Sequence, residues 1–66
     1  MDAEELKKVL DWLKTEIEAA EGRWTFIQND IEKNEQNRAA LAWKQAEIEN
    51  KIRNYQYLEA VLEGKL

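Results

Sequence analysis

The chain has 66 residues, fourteen Asp and Glu against ten Lys and Arg, a net charge of −4, and no proline. Its length bounds it to one small domain, near the size where a single core needs staples or oligomerisation. It contains no cysteine, histidine or serine, which excludes disulfides, thiolate metal sites, the usual general base and a serine nucleophile.

The acidic balance argues against nucleic-acid binding by this segment alone. No apolar run reaches membrane-spanning length, and the N-terminus is unlike a signal or transit peptide, so a cytoplasmic location off the membrane is expected. With 36% charged residues and sustained heptads, the composition indicates long helices. The fold class expected is all-α.

Asp2 followed by Glu5 reads as a capping arrangement that opens a short amphipathic helix over 1–14. Leu6, Val9, Leu10 and Leu13 share one face of it, with Trp12 beside them. Over 15–22 a break or kink is expected, because Thr15 is a fair cap, Ala20 fills little space, and Gly22 costs about 1 kcal/mol inside a helix. The alternative is a helix that runs straight through, since the seven-residue register does not slip there.

A long helix is expected over 23–63. Leu10, Ile17, Trp24, Ile31, Arg38, Gln45 and Ile52 form one series in steps of seven. Leu6, Leu13, Ala20, Ile27, Asn34, Leu41, Ile48, Tyr55 and Leu62 form the interleaved series. Together they make a heptad seam that a lone helix cannot bury.

The seam is apolar at both ends and polar at Asn34, Arg38 and Gln45. A parallel dimer would set Arg38 against its own copy. An antiparallel coiled-coil homodimer instead allows Trp24 beside Tyr55 of the second copy, Ile27 beside Ile52, Ile31 beside Ile48 and Asn34 beside Gln45. Asp30 and Lys51 then flank the interface with opposite charges. The interface so expected comprises Ile17, Trp24, Ile27, Ile31, Asn34, Arg38, Leu41, Gln45, Ile48, Ile52, Tyr55 and Leu62.

The rival is a hairpin that turns at Asn34–Asn37, the most polar tetrad, although it lacks glycine and proline. That register places Ile27 against Gln45 and Leu13 against Glu59. The helix is expected to end at Gly64 as a C-cap, with Lys65 favourable to the dipole.

The carboxylates read as a solvated face, because without histidine they form no metal or general-base constellation. No catalytic residue, cofactor or metal ligand is assigned, and enzyme activity is not expected. The off-seam aromatics are the surplus. Trp12 and Phe26 are expected to pack the N-terminal helix onto the long one, and Trp43, Tyr57 and Val61 offer a second surface.

The order of these elements resembles the C-terminal half of MerR-family transcriptional regulators. Met1, Glu5, Leu6, Lys7 and Leu10 match the Met-Ser-x-x-Glu-Ile-Lys-x-x-Leu pattern that closes the family's DNA-binding domain, with Asp2 and Ala3 as departures. Arg23-Trp24 is similar to the Arg-aromatic pair that opens its dimerisation helix. The stretch from Asn50 to Tyr55 is similar to its Tyr-Lys-Ile-x-x-Tyr end.

The resemblance implies a dimerisation module, paired with itself or with a full-length MerR-like protomer, that positions two DNA-binding heads. The winged helix is absent apart from its last helix, and so are the cysteines of the family's metal and redox sensors. The chain is therefore expected to be an excised dimerisation region or a short relative, without operator binding of its own. The other reading is a standalone or designed coiled-coil or hairpin interaction protein with no link to transcription.

Overall fold

The computed structural model describes residues 2–34 and 36–65 as two antiparallel helices, α1 over Ala3–Lys33 and α2 over Arg38–Glu63, folded into a hairpin. The molecule measures 50 × 14 × 12 Å. Its length is that of α1 itself at about 1.5 Å per residue.

α1 starts as its sequence dictates. The Asp2 carboxylate accepts the backbone N–H of Glu5 at 2.8 Å, and Glu4 and Glu5 in the first turn favour the positive end of the helix dipole. Leu6, Leu10, Leu13, Ile17 and Ala20 then recur on one face and are buried. With one other helix in the molecule, that face is covered by α2.

The expected break over 15–22 is not there, and α1 passes through it as continuous helix. Thr15 turns its hydroxyl back to the carbonyl of Asp11 at 3.0 Å instead of capping a new helix. Ile17 and Ala20 sit within the buried stripe. Their packing offsets the cost of about 1 kcal/mol at Gly22.

The division into 1–14, 15–22 and 23–63 therefore gives way to a different one, because the chain leaves the helix at Asn34. A continuous long helix would hold its seam in water. Folding back covers that seam within one chain, and a short connection makes closure entropically cheap.

The turn is built from polar side chains. Asn34 adopts an extended conformation while its N–H still bonds the carbonyl of Asp30. Its side-chain oxygen accepts the Gln36 N–H at 3.1 Å, an Asx-type turn that stands in for glycine. Among the described residues none has a positive φ. Glu35, within the polar tetrad, lies outside the described residues.

α2 opens at Asn37 without a side-chain cap and closes at Gly64, whose N–H bonds back to Ala60. Gly64 is thus the C-cap expected, in a right-handed conformation.

Candidate functional site

The residues expected at an interface between two copies largely line the inner side of the hairpin within one chain. Ile17 and Gln45 are buried, and Trp24, Ile27, Ile31, Leu41, Ile48, Ile52, Tyr55 and Leu62 are half-buried. The pairing of α1 with α2 differs from the register derived for a dimer. Gln45 lies opposite Trp24 and Gln28, and Trp24 lies opposite Glu49.

Gln45 is the one buried polar residue among those described, 9% exposed. Its amide nitrogen donates to Gln28 Oε1 at 2.8 Å and lies 3.5 Å from the carbonyl oxygen of Trp24. Burial of an unpaired amide would cost about 1–3 kcal/mol. The hairpin removes that penalty with Gln28, a residue outside the heptad series. Its signal in the sequence was its place one turn after Trp24, on the edge of the seam. One helical turn away, the indole N–H of Trp24 donates to Glu49 at 2.9 Å.

Asn34 and Arg38 are exposed and belong to the turn. Asn34 does not meet Gln45. Arg38 donates from Nε to the carbonyl of Ile31 at 3.3 Å, which satisfies a carbonyl at the C-terminal end of α1 where helices lack internal donors. Asp30 is half-buried and Lys51 exposed, and the hairpin register places them on different turns, so they do not face each other within the chain.

The aromatics divide three ways. Trp12 meets Tyr55 edge-on, with ring centroids 5.9 Å apart, and so joins the N-terminal segment to α2 as expected. Phe26 does not: it stands exposed on the outside of α1, beside Ala19 and Gly22. Trp43 and Tyr57, 73% and 70% exposed, lie with Val61 on the side of α2 that faces away from α1.

A shallow groove lined by Ala39, Ala42, Trp43 and Ala46 runs along that outer side. A second depression between the helices is lined by Trp24, Thr25, Glu49, Ile52 and Arg53, but Trp24 and Glu49 already bond each other across it. Among the described residues, no carboxylates cluster as a metal site and no helix is long and apolar enough to cross a membrane. The candidate site is accordingly a surface, the outer face of α2.

No protein-family model, curated protein or solved structure matches the chain. The resemblance to MerR-type regulators gains no support from these comparisons.

Proposed function

We propose that the chain is a helical-hairpin interaction module without catalytic activity. α1 closes the hairpin against one side of α2, and the opposite side of α2 receives a partner helix. The observation that carries this reading is the exposure of Trp43 and Tyr57 together on that side. Each side chain would bury a large apolar area in an interface, and neither contributes to the buried core of the hairpin.

The test replaces both rings by Trp43→Glu with Tyr57→Glu and follows urea unfolding of the dilute chain by circular dichroism. A surface kept for a partner predicts a change within about 0.5 kcal/mol, as for ordinary exposed positions. A loss of about 2 kcal/mol or more, the range of a core truncation, would make these rings part of the hairpin's own stability and sink the reading.

A second reading keeps the seam for assembly. In it the chain is the dimerisation helix of a MerR-like regulator in the cytoplasm, paired antiparallel with itself or with a full-length protomer. The turn favours it, because it contains neither glycine nor proline and none of its described residues has a positive φ. Straightened, α1 of one copy could meet α2 of another through the contacts described above. Small-angle scattering separates the two forms: a hairpin has a long dimension near 50 Å, and the straightened form a rod of roughly 90 Å at 1.5 Å per residue.

A further inference from the structure

The geometry points to a second copy of this chain as the partner, docked antiparallel on the outer face of α2 and centred on Asn50. The inference rests on the interaction-module reading and names its occupant. Ala39, Trp43, Ala46, Asn50, Asn54, Tyr57 and Val61 are all exposed. Their gaps of four and three read the same in both directions from Asn50, which gathers them into a second seam on one face of the helix. At about 100° per residue this seam lies on the side of α2 opposite Gln45, Ile48 and Ile52.

The face is its own complement in one orientation. Set antiparallel about Asn50, Trp43 meets Tyr57 of the second copy, Ala39 meets Val61, Ala46 meets Asn54, and Asn50 meets itself. The alanine-lined groove beside Trp43 thus receives the bulk of Val61 and Tyr57, so small side chains oppose large ones. In the parallel orientation Ala39 would face alanine and Trp43 would face tryptophan, leaving a void beside a crowded layer.

Charge selects the same orientation. In an antiparallel pair each flank of a helix meets the same flank of its partner. Glu47 then faces Lys51 of the second copy on one flank, twice by symmetry. The outer side of α1 offers no such match. It carries Glu4, Lys8, Asp11 and Glu18 around Phe26, and the other exposed ring of α1, Trp12, is turned onto Tyr55.

Sedimentation equilibrium of the full chain across a dilution series should show a monomer–dimer equilibrium, and Asn50→Arg should weaken it on the order of tenfold or more by setting like charges across the two-fold axis. Under mild oxidation Asn50→Cys should form a disulfide with its own copy much faster than Thr15→Cys, an exposed control on the outside of α1. Trp43→Cys should crosslink quickly only when mixed with Tyr57→Cys.

A chain that stays monomeric at millimolar concentration, or a dimer in which Asn50→Cys is no faster than Thr15→Cys, overturns the proposal. If the Trp43→Glu and Tyr57→Glu variant keeps the hairpin's stability while the chain is monomeric, only the second copy is lost as occupant. If that variant unfolds the hairpin, the interaction-module reading falls with it.

Discussion

The two helices are similar in mean apolarity but arrange it differently. α1 gathers its leucines, with Ile17 and Ala20, into one buried stripe and leaves the rest of its circumference mostly to charged residues, Trp12 and Phe26 aside. α2 spreads its apolar residues around the axis and none of them is buried, its one buried residue being the polar Gln45. A helix of the first kind is completed by one neighbour, whereas one of the second kind has work for two. The hairpin supplies α1 with everything its pattern demands and α2 with about half.

The contrast can be broken most decisively at Leu13, 1% exposed. Leu13→Ala should cost about 2–5 kcal/mol, enough in so small a core to leave much of the dilute chain unfolded at room temperature by circular dichroism. The outward rings of α2 should be near neutral in the same assay. Equal losses at Leu13 and Trp43 would show that both helices are one-sided after all.

The polar core comes next. Gln45→Ala should cost about 1–3 kcal/mol, since it empties a buried position and leaves the Gln28 oxygen without its donor. Gln28→Leu combined with Gln45→Leu should recover most of that, because neither partner is then left unpaired. A double-mutant cycle in urea measures the coupling, and strictly additive losses would mean that the 2.8 Å bond contributes nothing.

The smallest effect is a gain. Gly22 has a helical conformation, and a Cβ built on it meets nothing within 4 Å. Gly22→Ala should therefore raise the midpoint of urea unfolding, by about 0.5–1 kcal/mol in stability. A loss there would mean that α1 is bent or contacted at this point.

Much of this was legible in the residues. The heptad spacing named the seam, and the structure brings Ile17, Trp24, Gln45, Ile48, Ile52 and Tyr55 to it. The sequence also marked Trp43 and Tyr57 as surplus to it. What the spacing could not specify was whose helix covers the seam, since a/d periodicity is the same for an intrachain and an interchain partner. The turn at Asn34–Asn37 lacks the glycine and proline that mark such turns in a sequence, but an asparagine side chain can do the same work through its own hydrogen bond. Gln45 looked misplaced against Ile27. Gln28 resolves that conflict, and its role depends on a partner 17 positions along the chain rather than on any local pattern, a case of tertiary context overriding local preference.

Ala20 carries a consequence of its own. Its side chain is completely enclosed, 0% exposed, at a level where its neighbours along the stripe are leucine and isoleucine. An enclosed methyl group acts as a gauge for how closely two helix axes can approach, because any larger group must push them apart. The two small residues of this stretch thus have opposite tolerances. Position 22, which holds a glycine, is free to vary, and position 20, which reads as filler, admits little beyond what it already holds.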